Sequence, residues 1–215
     1  VLREVGFENI NLDLMYAFPS QSMEELRKDV DAIASLGSEH LSIYTLTIEP
    51  NSRFHAQVIK LDEEEKIADQ FILVKNMLSQ YSFAQYEISN FAKEGFQSQH
   101  NRNYWLGEAY LGLGMGAHGF TGQRRYWNKS KLQEYLTATD PQEGYEDLSE
   151  ETRQMEKVLF GLRMNAGVNQ AEVPQEKKKI IDEFIQQGFL KIEKDRLVAT
   201  DKGQLVLDEL SVRLI

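Results

Sequence analysis

The stretch "NINLDLMYAFPSQSMEELRKDVDAIASLG", residues 9–37, reads as a strand, a turn and a helix in succession. Polar Asn9, Asn11 and Asp13 alternate with apolar Ile10, Leu12 and Leu14, the period of two expected of a strand with one covered face. Pro19 ends it. Ser22 and Glu25 stand at capping-box spacing, Leu26, Val30, Ile33 and Ala34 share one helical stripe, and Gly37 suits the C-terminal cap. A second strand, "HLSIYTLTI", runs up to Pro50, and the unit then recurs. Asp62 and Glu65 read as the cap of a helix with the stripe Ile67, Phe71, Val74 and Leu78, and "FAQYEIS" as a third strand. Strands alternating with amphipathic helices predict an α/β fold with parallel pairing through right-handed crossovers.

Toward the C-terminus the pattern changes. Ser149 opens a helix with Met155, Val158, Leu159 and Leu162 on one side, and a second helix carries Ile180, Ile181, Phe184 and Ile185 before Gly188. "FLKIEKDRLVATDKG" then reads as two short strands around a charged turn, followed by a last helix, a winged-helix pattern. The polar "TATDPQEGYED" with Pro141 and Gly144 sets the expected boundary, giving domains 1–137 and 138–215. At the other end, "VLREVGF" reads as the tail of a helix closed by Gly6, so the chain is expected to be part of a longer protein.

Composition narrows the function classes. The chain has 215 residues, 34 acidic against 24 basic side chains and a formal charge of -10, and its only basic run is Lys177–Lys179. A phosphate backbone would be repelled, so nucleic acid is not an expected partner. No stretch approaches the ~20 apolar residues of a membrane span, and the expected location is the cytoplasm. There are no cysteines, which removes disulfides and thiolate-held zinc or iron-sulfur centres from this chain.

Two neighbouring stretches carry the chemistry: "HNRNYW", residues 100–105, and "YLGLGMGAHGF", residues 110–120. The first mixes an imidazole, amides, a guanidinium and aromatic rings, read as a loop suited to a flat, partly charged ligand, or else as a lid over the barrel end. The second places Gly112, Gly114 and Gly116 at every other residue. In a strand this clears one face for a ligand ring or for close packing of another backbone. "GMGAHG" matches G-x-G-x-x-G but "FTGQRRYWN" after it reads as turn and strand, not the helix a dinucleotide site needs. Asp13 lies at the polar phase of the first strand near its expected C-terminal end, where parallel α/β folds bind ligands. His40 and His55 have no neighbouring ligand types in sequence, and Glu63, Glu64 and Glu65 read as a solvated first helical turn.

Taken in order, "NINLDLMYAFPSQS", "IYTLTIEPNS", "QYEISNFAKEGFQSQHNRNYW", "YLGLGMGAHGF" and "RRYWN" resemble the HemW branch of the radical S-adenosylmethionine (SAM) proteins, relatives of oxygen-independent coproporphyrinogen III oxidase. The resemblance implies the C-terminal portion of a partial (β/α)6 barrel followed by a small winged-helix-like α+β domain. It implies SAM and a [4Fe-4S] cluster at the strand C-termini, the cluster held by a C-x-x-x-C-x-x-C loop that this chain does not contain. By position, Asp13 matches the aspartate of I-D-L-x-Y-G that lies at SAM, with Ala17 in place of the usual glycine. Thr45, Thr47, Gly114, Gly116 and His118 match segments lining the same cavity. His100, Asn101, Arg102, Tyr104 and Trp105 fall in H-N-x-x-Y-W, associated with haem. His100 is the expected iron ligand, Asn101 its orienting neighbour and Arg102 a propionate partner. The implied activity is that of a haem chaperone delivering haem to acceptor proteins. The alternatives are radical decarboxylation of coproporphyrinogen III and a cofactor-free interaction module. Without cysteines, this chain by itself is expected to be unable to cleave SAM.

Overall fold

The computed structural model describes residues 1–50, 52–56 and 61–214. It divides into two compact units, residues 1–98 and 99–215, each taken by itself below.

The first unit follows the opening stretch closely. Strand β1 (Asn11–Tyr16) leads to helix α1 (Met23–Ser35), then β2 (His40–Thr45), the short α2 (Arg53–Ala56), α3 (Glu64–Gln80), β3 (Ala84–Glu87) and β4 (Asn90–Ala92). Ser22 and Glu25 form the reciprocal capping box, so two otherwise orphaned N–H groups at the start of α1 are satisfied. Gly37, just past the end of α1, takes the left-handed conformation at φ +75°. At α3 the cap differs from expectation: the N-cap is Glu63, with no side-chain hydrogen bond. Asp62 instead accepts from Lys66 Nζ at 2.6 Å, because the lysine one turn on offers a charge-assisted partner.

The sheet order is β1-β2-β4-β3. β1 and β2 pair in parallel, with Asn11 opposite His40 and Asp13 opposite Ser42. β2 and β3 both pair antiparallel with β4, so the third expected strand runs in the direction of the first two but is separated from them by an inserted strand. Purely parallel pairing is therefore corrected. "SNFA" turns back immediately after "QYEI", and a hairpin is the shortest way to satisfy that edge. One face of the sheet packs on the helices: Tyr16, Leu41, Ile43 and Phe91 meet Leu26, Val30 and Ile33 of α1 and Val74 and Leu78 of α3. The opposite face is polar. "VLREVGF" forms hydrogen-bonded turns rather than a helical tail, with Gly6 at φ +93°.

In the second unit, α4 (Gln99–Trp105) is followed by β5 (His118–Phe120), β6 (Arg124–Asn128), α5 (Leu132–Thr137) and β7 (Gln142–Asp147). The three strands form an antiparallel sheet, β5-β6-β7. The polar stretch expected to be a boundary thus contains β7. Arg124 stacks over the Tyr145 ring at 3.9 Å and is paired with Asp147 at 2.6 Å, so a strand with almost no apolar face is held by its cross-strand neighbours.

Next come α6 (Glu150–Arg163), β8 (Val168–Asn169), α7 (Lys178–Gln186), β9 (Leu190–Glu193), β10 (Arg196–Ala199), α8 (Asp201–Leu205) and α9 (Leu207–Leu214). The β8-β10-β9 sheet and these helices make the expected winged-helix arrangement. Its core includes Val158, Leu162, Ile181, Phe184, Leu197 and Leu210. Among the described residues no helix is long and apolar enough to cross a membrane.

Candidate functional site

"HNRNYW" is helix α4, not a loop. An i, i+4 pair organises it: His100 Nε2 and Tyr104 Oη are 2.9 Å apart and the two rings meet edge to face at 4.7 Å. The partner at that imidazole nitrogen is Tyr104, where sequence reasoning expected Asn101. His100 is exposed, while Asn101, Arg102, Tyr104 and Trp105 are half-buried. Trp105 packs edge-on against Phe160 of α6 at 5.9 Å and lies under the Arg163 guanidinium at 4.4 Å. The buried Nε1 of Trp105 and Nε of Arg102 have no hydrogen-bond partner among the described residues.

Gly112, Gly114 and Gly116 do not lie in a strand; β5 starts only at His118. The segment runs beside the β5-β6-β7 sheet and is tied to it by side chains. Gly112 N–H donates to Tyr126 Oη and Gly114 N–H to Tyr135 Oη, both at 3.1 Å, and Gly116 N–H donates to the Lys129 carbonyl at 2.9 Å. Asn128 Nδ2 bridges the carbonyls of Gly112 at 3.0 Å and Gly114 at 2.9 Å. A Cβ on Gly112 would stand 2.5 Å from the His118 carbonyl carbon and oxygen. Gly114 and Gly116 take φ +104° and +66°, where a side chain is strained. These glycines are therefore required by backbone approach and turning, which removes the reading of a cleared strand face.

A cleft of about 840 Å³ opens between α4, the following turn, β5, β6 and α6. Tyr104, Trp105, Tyr110, Phe120 and Phe160 supply aromatic surface, and His118 stands at its wall with Arg125, Arg153, Lys157 and Glu156. Tyr104 and Tyr110 meet edge to face at 4.4 Å. Arg125 Nη2 donates to both oxygens of Glu156, at 2.9 and 3.0 Å, fixing the guanidinium to α6. His100 is not among the lining residues, whereas His118 is. Sequence reasoning missed Arg125 and Phe160; "RRYWN" contained the first, and no local signal marked the second.

In the first unit Asp13 is exposed on the polar face, in the middle of β1 rather than at its end. Thr45 closes β2 opposite Tyr16, and Thr47 follows it, both exposed. Ala17, where a glycine was expected from the resemblance, has φ +63°, and its N–H donates to Gln21 Oε1 at 2.9 Å. Beside Asp13 lies a group that local sequence gave no reason to suspect. His40 is only 4% exposed, with Nδ1 2.6 Å from Asn11 Oδ1 and Nε2 2.8 Å from Tyr86 Oη. Burial holds its pKa below the ordinary histidine value, with the Asp13 charge opposing.

The neutral ring therefore contributes stability in full above an unfolded-state pKa of ~6.5, and loses it as pH falls through the lower folded-state value. Urea midpoints measured from pH 7.5 to 5 should fall, and His40→Gln should flatten that dependence. An unchanged slope in the variant would show that other groups cause it. Among the described residues no cluster of three or more histidine or carboxylate side chains is set to hold a metal ion.

Residues 148–206 match the HemN C-terminal domain, which covers α6 through α8. Over 96% of its length the chain is 32% identical to the Heme chaperone HemW of Bacillus subtilis, and over 94% it is 35% identical to that of Lactococcus lactis. The chain is thus similar to HemW proteins along nearly all of its own length. It spans 59% and 57% of those two HemW proteins, less than their full length. The solved structure of coproporphyrinogen III oxidase (HemN) from Escherichia coli, described as a radical SAM enzyme, is similar over 99% of the chain and 56% of its own, with a TM-score of 0.78 at 18% identity. That likeness is one of fold: it bears out the α/β barrel portion and the winged-helix-like end.

Proposed function

We propose that this chain is part of a radical SAM haem chaperone, that haem occupies the cleft beside α4, and that its acceptors are haem-binding proteins. The observation that carries the reading is the composition of that cleft. Five aromatic side chains offer flat apolar faces to a macrocycle, and Arg125, Arg153 and Lys157 offer cations to propionates. The buried indole N–H of Trp105 supplies a donor that has no acceptor among the described residues. Imidazole is an ordinary haem ligand. In the tautomer whose Nε2–H donates to Tyr104 Oη, the Nδ1 lone pair of His100 is left for iron. His118, which lines the cleft, is the competing ligand; His100 lies outside the lining, next to the lining Tyr104, and would have to reach the iron from the cleft edge.

SAM fits the first unit through Asp13, whose exposed carboxylate can accept from a hydroxyl or ammonium group, with Thr45 and Thr47 further along the strand ends. The [4Fe-4S] cluster does not fit this chain, which has no cysteine. Its thiolates would come from elsewhere in the protein.

Haem titration of the intact protein tests the proposal. His100→Ala is expected to shift the Soret band and to weaken binding at least about tenfold, with little change in melting temperature because the side chain is exposed. The same loss in His118→Ala alone would transfer the ligand role to His118. No loss in either variant, or anaerobic conversion of coproporphyrinogen III to protoporphyrinogen, would overturn the chaperone reading.

A further inference from the structure

The open face of the first sheet carries a hydrogen-bonded chain whose direction is fixed by chemistry. Asn11 Nδ2 donates to Asp13 Oδ1 at 2.7 Å. The reversed amide would set its oxygen against a carboxylate oxygen, acceptor on acceptor, so the orientation is determined. Asn11 Oδ1 then accepts from Ser42 Oγ at 3.1 Å and lies 2.6 Å from His40 Nδ1. That nitrogen must carry the proton. In a neutral imidazole Nε2 is then bare and accepts from the Tyr86 hydroxyl at 2.8 Å. The donors therefore run from Tyr86 to His40 to Asn11 to Asp13, from the buried end of the sheet to its one exposed carboxylate on this path.

An apolar side chain at residue 40 would satisfy packing without needing partners, and a buried imidazole is costly unless both nitrogens are satisfied. Here both are, and the outer end of the network is an amide held by three groups at once. Such a chain fixes the rotamer of Asp13 before any ligand arrives, in the way that outer groups orient ligating histidines in metal sites. The parallel register makes it possible, since it sets Asn11 opposite His40 and Asp13 opposite Ser42.

We infer that His40 is a positioning residue for Asp13, acting through Asn11, so that the carboxylate is presented in one orientation to a hydroxyl or ammonium donor of the ligand. This rests on the reading of Asp13 as a SAM-binding residue.

Two measurements on the intact protein test it. With four histidines in this chain, long-range nitrogen-proton NMR can resolve the His40 ring. The expected state near neutral pH is neutral with the proton on Nδ1; a proton on Nε2 would overturn the direction of the chain. SAM affinity is then compared for Asp13→Asn, Asn11→Leu and His40→Phe, with Asn11→Leu serving as the exposed-site variant if His40→Phe folds poorly. Loss of about tenfold is expected for Asn11→Leu and His40→Phe, a larger loss for Asp13→Asn, and no added loss when His40→Phe is combined with Asp13→Asn. Full affinity in both Asn11→Leu and His40→Phe, alongside a loss in Asp13→Asn, would end the positioning role and leave the Asp13 reading standing. Full affinity in Asp13→Asn would end both.

Discussion

Gly112→Ala is expected to cost the protein about 2–3 kcal/mol, the upper part of the ~1–3 kcal/mol range for forcing extra volume into a packed site, because the neighbour cannot move away. The added methyl would meet the His118 main chain at 2.5 Å, and that main chain is held on its far side by β6. Relief would require moving β5 or breaking the bonds that Tyr126 and Asn128 make to Gly112. Denaturant unfolding gives the number directly. A ligand-clearance role predicts the reverse: unchanged stability with weaker haem or SAM binding. That outcome would restore the reading of these glycines as room for a ligand.

Phe184→Ala should be costlier still, about 3–5 kcal/mol, because a large ring is removed from a site with no exposure. Phe184 sits on the buried side of α7, and Arg213 of α9 lies over its ring at 4.7 Å, so the cavity would lie where helices close on the three-stranded sheet. Loss of unfolding cooperativity in the second unit is the expected companion. A change under about 1 kcal/mol would mean that α7 is not packed on this core as described.

How much was legible in the sequence depends on how local the cause was. The α1 stripe of Leu26, Val30, Ile33 and Ala34 is the set of residues buried on that helix, and Ser22 and Glu25 do form the capping box, because both features are written in one helical period. The same holds for Ser149 as the cap of α6 and for the β9-β10 hairpin. What failed were elements stabilised from outside. α4 has seven residues, Asn101 and Asn103 among them, and its order draws on His100 against Tyr104 and Trp105 against Phe160. β7 is nearly all exposed and polar, and depends on Arg124, across the sheet. β4 has only three residues and becomes a strand by lying between β2 and β3.

The site divides in the same way. Residue types in "HNRNYW" and "RRYWN" pointed to the right region, since aromatic and charged side chains together are uncommon in a core. The relation between them was not readable. His40 is the clearest example. In sequence it is one polar residue before "LSIY", and its partners Asn11 and Tyr86 are 29 and 46 positions away. Only strand register brings such residues together.

The segment from Leu111 to Gly116 has one more property. Leu111, Leu113 and Met115 project outward at 75%, 82% and 52% exposure, a period-two apolar row of the kind that recruits foreign strands when its backbone is free. Here that backbone is already engaged at alternate residues. Tyrosine hydroxyls and one asparagine amide occupy the hydrogen-bonding positions that a neighbouring strand would otherwise fill. The segment thus presents sticky side chains on a main chain with one edge closed, a form of built-in resistance to amyloid-like stacking. It comes from three side chains, Tyr126, Asn128 and Tyr135, rather than from a flanking charge or proline.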